Sequence, residues 1–276
     1  MTSTRFFDLR KLPLLCLLFA AVAGAQTLTG DHVPTSQGGD LVIHPINHAT
    51  FAMAWNGTTI YVDPVGGAQA FAGMPAASLV LITDIHGDHL NADTLMAVVG
   101  ADTTIVAPQA VAMMLPDALK SKTTILANGE TKTVKGISIE GVPMYNTTKE
   151  RLQYHTKGRG NGYVVTLGGK RVYISGDTED IPEMRALKNI DVAFVCFNLP
   201  YTMTEEQAAS AVREFAPKIV YPYHYRGRVV GSRDTVEQAL AQCRTDGLYS
   251  RRKNPVPLGV GNLYALREQR SNFVPI

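Results

Sequence analysis

The chain has 276 residues, 45% of them apolar, and a mean hydropathy of zero, which excludes bulk disorder and suits one large domain or two small ones. Its formal charge is +2, from 26 basic and 24 acidic residues. The whole excess lies in the first 25 residues, where Arg5, Arg10 and Lys11 outnumber Asp8, so the remainder carries no basic surplus for a phosphate backbone and no nucleic-acid partner is expected.

That N-terminal stretch reads as a secretory signal peptide over residues 1–25. It has a basic start (Arg5 to Lys11), an apolar run (Leu14 to Val22) and Ala-Gly-Ala before Gln26, with cleavage expected after Ala25. The alternative is a membrane anchor, but the run is only about a dozen residues where a spanning helix needs ~20. Leu15 rather than a small residue precedes Cys16, which argues against lipidation. The expectation is a secreted or periplasmic protein with no membrane association after cleavage. Residues 26–40 are polar and Gly-rich, a flexible lead-in, and 41–276 form a single domain.

LVIHPIN, TFAMAW and TIYVDP are three β-type runs, and Asn56-Gly57 between the last two predicts a tight hairpin in an antiparallel meander. After a small-residue loop (66–77), residues 79–126 alternate strand, helix (91–99), strand (TTIVA), helix (109–115) and strand (TTIL). The theme then restarts. TKTVKGISIEGVP, GYVVTL and RVYISGD are β runs, with Leu167-Gly168-Gly169-Lys170 a second hairpin turn. Helix (182–187), strand (VAFVCF), helix (204–215), strand (KIVYP) and helix (233–243) follow. Thr204 three residues before Gln207 is a capping box. Two blocks, each β-rich and then α/β, predict two sheets face to face with helices outside.

The chemistry concentrates in TDIHGDHL, residues 83–90, a strand-to-helix turn holding Asp84, His86, Asp88 and His89. Imidazole and carboxylate are ligands for zinc and similar divalent ions, and four such groups rarely crowd one turn. A polar turn with a capping Asp is the bland alternative. Other strand ends supply His155 in QYHTKGRGN, Asp177 in YISGDTED and His224 in IVYPYHYRG. His32 and His44 read as isolated surface histidines. Cys196, in an apolar strand, and Cys243 are the two cysteines left after signal removal, either a disulfide or two free thiols.

These motifs resemble the metallo-β-lactamase-fold hydrolases, whose signature is H-x-H-x-D-H on a strand-to-helix turn, then a later His, a Gly-Asp and a last His. Within that superfamily NHATFAMAWNGTTIYVDP, VPMYN, KGRGNGYV and RVYISGDTED are similar to the group related to L-ascorbate-6-phosphate lactonase. The resemblance covers about residues 40–230. It implies an α/β (α+β), four-layer αβ/βα sandwich with a two-metal centre at the sheet edges, the ions being zinc or manganese. His86 and His155 would bind the first ion, Asp88, His89 and His224 the second, and Asp177 both.

Asp84 stands where the family has its first His. Either it is a ligand in a harder, more anionic site, or it withdraws and leaves one ion. His48 would contact substrate or a ligand, a catalytic rather than metal-binding role shared with Asp88 as proton acceptor. Asp63 either orients a ligand His or simply forms its turn. Lys157, Arg159, Tyr201 and Arg226 are candidate substrate contacts, the cations for an anionic group, with Tyr145, Tyr154, Tyr223 and Tyr225 completing an aromatic rim. The expected function is exported, metal-dependent hydrolysis of a small ester, lactone, amide or phosphodiester; the rival is a catalytically inactive binding protein of the same fold.

Overall fold

The computed structural model describes residues 27–225 and, as backbone, 266–267. The expectations on residues 1–25, Arg226, the helix at 233–243 and Cys243 lie outside the described residues. The first half contributes β1 (Asp31–Val33), β2 (Leu41–Asn47), β3 (Thr50–Trp55), β4 (Thr58–Val62), β5 (Leu79–Leu81), α1 (Ala92–Val98), β6 (Thr104–Ala107), α2 (Gln109–Met114), α3 (Asp117–Lys120) and β7 (Thr123–Ile125). The second contributes β8 (Thr131–Val134), β9 (Ile137–Met144), β10 (Gly160–Leu167), β11 (Lys170–Ile174), α4 (Pro182–Arg185), β12 (Val192–Cys196), α5 (Glu205–Phe215), β13 (Ile219–Tyr223) and β14 (Leu266–Arg267).

Each half makes one seven-stranded sheet, ordered β1-β2-β3-β4-β5-β6-β7 and β14-β13-β12-β11-β10-β9-β8. Both follow one plan. β1 to β4 and β8 to β11 pair antiparallel, whereas β4 to β7 and β11 to β13 pair parallel. The parallel strands β5, β6 and β7, and β11, β12 and β13, are joined through helices, as parallel pairing requires. Asn56 and Gly57 both take positive φ (47° and 74°), as do Gly168 and Gly169 (57° and 80°), the conformation of tight hairpins whose twist matches the strands.

The sheets meet through a continuous apolar core in which Phe51 of β3 stacks on Phe194 of β12 with centroids 3.9 Å apart. A second apolar cluster packs Leu95, Val111 and Leu119 of the first-half helices against Tyr61, Val80 and Ile105 on the outer face of the first sheet. On the second sheet, Phe215 of α5 meets Tyr173 of β11 edge-on. α5 begins at the expected capping box: Thr204 accepts from the Gln207 amide, and the Gln207 side chain accepts from the Thr204 amide. This is the layered sandwich that the sequence predicts.

One expectation is corrected. The lead-in is built into the fold, because β1 pairs with β2, Leu28 and Val33 are buried, and the Ser36 amide donates to Gly168 O. Its strand is only three residues long, too short to register in the sequence pattern.

Candidate metal centre

Parallel strands end on one side of their sheet, and the chain places its ionisable residues there. β4 runs into Asp63, β5 into the 84–89 turn, β11 into Gly176-Asp177 and β13 into His224. The 84–89 turn is closed by the His89 and Leu90 amides, which both donate to His86 O. The cap of α1 is Asn91, whose side chain accepts from the Thr94 amide, so neither Asp84 nor Asp88 is consumed as a cap. His48, Asp63 and His224 all have left-handed backbones (φ 49°, 44° and 52°), a strained conformation enriched at functional sites.

Asp177 is the hub. Its Oδ2 lies 3.2 Å from His89 Nε2 and 3.1 Å from His155 Nε2, and its Oδ1 lies 3.2 Å from His224 Nε2. His224 Nε2 also lies 3.2 Å from His89 Nε2 and 3.3 Å from Asp88 Oδ2. His48 Nε2 is 3.4 Å from Asp88 Oδ2. Three donor sets result: His89, Asp177 and His224; Asp84, His86 and His155; and His48, Asp88 and His224, each with its atoms within 4.8 Å of one another. Every residue that the sequence assigns to the metal thus arrives in one cluster. His48, expected as a substrate contact, also offers its ring nitrogen as a donor.

The donor set fits a cation. Among the buried polar atoms without a hydrogen-bond partner are His48 Nε2, His155 Nε2 and Asp177 Oδ1. Such atoms are costly unless something supplies the missing contact, and each belongs to one of the three donor sets. Burial opposes charge on Asp177, but the His224 and His89 charges and the His155 bond outweigh it and hold the carboxyl well below its usual range. Asp88 is likewise held low against burial by its bonds to His224 and His48. Burial opposes a proton on His89, yet Asp177 and Asp63 draw one strongly. What attracts a proton there attracts a metal ion.

The supporting residues fix the tautomers. Asp63 Oδ2 lies 2.8 Å from His89 Nδ1, and Asp63 accepts from the Thr83 amide (2.7 Å) and hydroxyl (2.6 Å). Of the two readings of Asp63, orientation of a ligand His is the one observed. Asn146 Oδ1 lies 3.3 Å from His155 Nδ1, while its amide nitrogen donates to Arg151 O and Tyr201 O. With Nδ1 engaged in each case, Nε2 faces the cluster. Sequence reasoning missed Asn146 as a site residue, although it closes the VPMYN motif, and missed Thr83; Tyr223, expected in the aromatic rim, has a different place. The Tyr223 hydroxyl accepts from the Gly176 amide at 2.9 Å and ties the His224 strand to the Asp177 turn.

Asp84 departs from expectation in its partners. Both carboxylate oxygens are taken by Arg159, Nε to Oδ1 at 3.1 Å and Nη2 to Oδ2 at 2.8 Å, and His86 Nδ1 lies 2.8 Å from Oδ2. Burial pushes Asp84 up, but the His86 bond and the Arg159 charge prevail and hold it below its usual range. In the expected cationic loop, Arg159 is matched to Asp84, and Lys157 is paired with Glu183 at 2.7 Å and lies over the Tyr145 ring. The aromatic rim is also narrower than expected. Tyr154 and Tyr201 meet edge to face at 5.0 Å, and Tyr201 is exposed, whereas Tyr223 is buried beneath the centre.

The β-lactamase superfamily domain matches this chain over residues 43–224, a span that includes every residue of the centre. A UPF0173 metal-dependent hydrolase from Thermococcus onnurineus is 32% identical over 188 residues, covering 65% of this chain and 82% of that one. The chain belongs to the UPF0173 metal-dependent hydrolases of this superfamily. A crystal structure from Parabacteroides distasonis, designated a metal-dependent hydrolase, is 43% identical, covers 78% of this chain and 94% of its own, and superposes with a TM-score of 0.69. Igni18, a metallo hydrolase from Ignicoccus hospitalis, shares the fold at 19% identity, with a TM-score of 0.62, covering 83% of this chain and 99% of its own. The family is one of metal-dependent enzymes, and the centre is where this hydrolase would hold its divalent ions.

Proposed function

We propose that this hydrolase is exported and cleaves a small ester, lactone, amide or phosphodiester, with a lactone favoured by the sequence resemblance to the L-ascorbate-6-phosphate lactonase group. The observation that carries the reading is the convergence of His89, His155 and His224, from three separate segments of the chain, on the Asp177 carboxylate at 3.1–3.2 Å. His89, Asp177, His224 and Asp88 would hold one zinc or manganese ion, and Asp84, His86 and His155 are the donors for a second. When bound, such an ion acidifies water and polarises the scissile oxygen.

The chain's own residues supply the rest. Asp88 is the most exposed carboxylate of the cluster, and its low pKa keeps it ionised at neutral pH, ready to orient water and accept its proton. His48 and His224 hold that carboxylate in place at 3.4 and 3.3 Å. Tyr154 and Tyr201 offer an aromatic wall beside His155 for the substrate's ring or chain. Export rests on the N-terminal sequence pattern; among the described residues no helix is long and apolar enough to cross a membrane.

The test is a panel of lactone, β-lactam, amide and phosphodiester substrates with added zinc or manganese, run beside Asp88→Asn. Turnover of one class that falls in the variant supports the reading. Turnover of none, or turnover that the variant retains in full, overturns it.

A further inference from the structure

The two halves of the centre share ligand types but not electrostatics. Among the described residues, Asp88 and Asp177 form ion pairs with histidines alone. Those imidazoles are themselves donors in these sets, so they face an ion together with the carboxylates. Asp84 is different. Its partner Arg159 presents a guanidinium, a group with no lone pair to offer an ion. The guanidinium is itself anchored, because Nη2 also donates to Tyr154 O at 2.6 Å and lies 3.5 Å from His86 Nε2. Arg159 is mostly buried and grips Asp84 with two parallel bonds, the strong geometry for this pair.

A carboxylate offers about four lone-pair positions. Two on Asp84 are committed to Arg159, and Oδ2 also faces His86 Nδ1. A divalent ion entering the Asp84, His86 and His155 half would therefore meet a weakened donor with a guanidinium fixed behind it. Asp84 and Arg159 together carry no net charge, as a neutral histidine would, but the pair offers fewer free lone pairs directed at the site than Asp84 alone.

We propose that Arg159, acting through Asp84, makes the centre unequal: the first divalent ion binds at His89, Asp177 and His224, and a second at Asp84, His86 and His155 binds about tenfold or more weakly. Arg159 is a positioning residue that sets metal stoichiometry. The inference rests on the metal-centre reading above and deepens it.

The experiment is calorimetric titration of the metal-free full chain with Zn²⁺, alongside metal per chain by elemental analysis, for wild type, Arg159→Met, Arg159→Gln and Arg159→Lys. The wild type should take up one tight equivalent and a second that is about tenfold or more weaker. Arg159→Met and Arg159→Gln should strengthen the second step by about tenfold, while Arg159→Lys, which keeps the charge, should preserve the gap. Should the Met variant not fold, the Gln variant and the wild-type titration each remain decisive. Two equal equivalents in the wild type would overturn the proposal, as would a second step that the neutral variants leave unchanged or weaken. Absence of zinc uptake by every form would instead remove the metal-centre reading on which it stands.

Discussion

Nδ1 of His89 lies 2.8 Å from Oδ2 of Asp63, a carboxylate fully buried at the end of the neighbouring strand. The same carboxylate accepts two bonds from Thr83, the residue that follows β5 and Ile82. One Asp therefore orients a donor imidazole and pins the turn that carries it. Asp63→Asn should weaken zinc binding about 10–100-fold with the fold retained, since the amide cannot serve as acceptor for all three donors. Zinc titration beside a melting curve checks this; unchanged affinity would show that Asp63 is only a turn residue.

Asp88 stands at the solvent side of the cluster, held by His48 and His224. Asp88→Asn removes the charge and the proton acceptor while keeping the shape. It should lower kcat/KM about 10²-fold or more on whichever substrate the panel identifies. Stability should hold to within about 1 kcal/mol, because the side chain is a third exposed (34%). Steady-state kinetics and urea denaturation give the two readouts.

Gly176 precedes the hub residue Asp177 and has φ +61°. A Cβ there would collide with Sδ of Met144 and come within 3.1 Å of Asn161 O. Gly176→Ala should cost about 1–3 kcal/mol from backbone strain and crowding, and should weaken zinc binding by displacing Asp177. Chemical denaturation and the same titration would reveal it; a neutral substitution would mean that the turn is free to relax.

The Phe51–Phe194 stack joins the two sheets at 3.9 Å between centroids. Phe194→Ala leaves a cavity between layers that cannot close without moving both, so a loss of about 3–5 kcal/mol is expected by urea denaturation. Phe194→Leu should cost clearly less.

Asp191 contributes a pH dependence that is independent of metal. Burial opposes its charge, but the Lys218 ammonium at 2.7 Å, the Arg171 amide at 3.0 Å and the nearby Lys170 charge outweigh it and hold the folded carboxyl below the usual range. A depressed pKa means that the unfolded chain takes up the proton first, near pH 4. Its stabilisation is thus complete above that pH and is lost as pH falls through the folded value. Asp191→Asn should cost about 1–2 kcal/mol at pH 7, and the difference from wild type should shrink below about pH 4. A gap that stays constant from pH 7 to 3 would contradict the assignment.

Much of the fold was legible because the sequence repeats its signals locally. Asn56-Gly57 and Gly168-Gly169 dictate hairpins by backbone conformation alone, and Thr204 with Gln207 starts α5 through bonds confined to one turn. The short helix Asp117–Lys120 and the edge strand Asp31–Val33 were not legible, since each has one turn or three residues and depends on packing supplied from elsewhere. The candidate metal donors were legible by type, because histidine and aspartate crowd a few strand ends.

The sequence by itself determined which side chains could ligate an ion and that they would sit where strands stop, since residue chemistry and strand periodicity are properties of short segments. Only the tertiary structure decided which donors face one another and which charges are already spent. Arg159 reads as a free cation until folding lays it along Asp84, 75 residues away, and Asn146 is only the last letter of VPMYN until it meets His155. Charge pairing depends on distance through space, and a linear chain does not contain that distance until its two sheets have closed on each other.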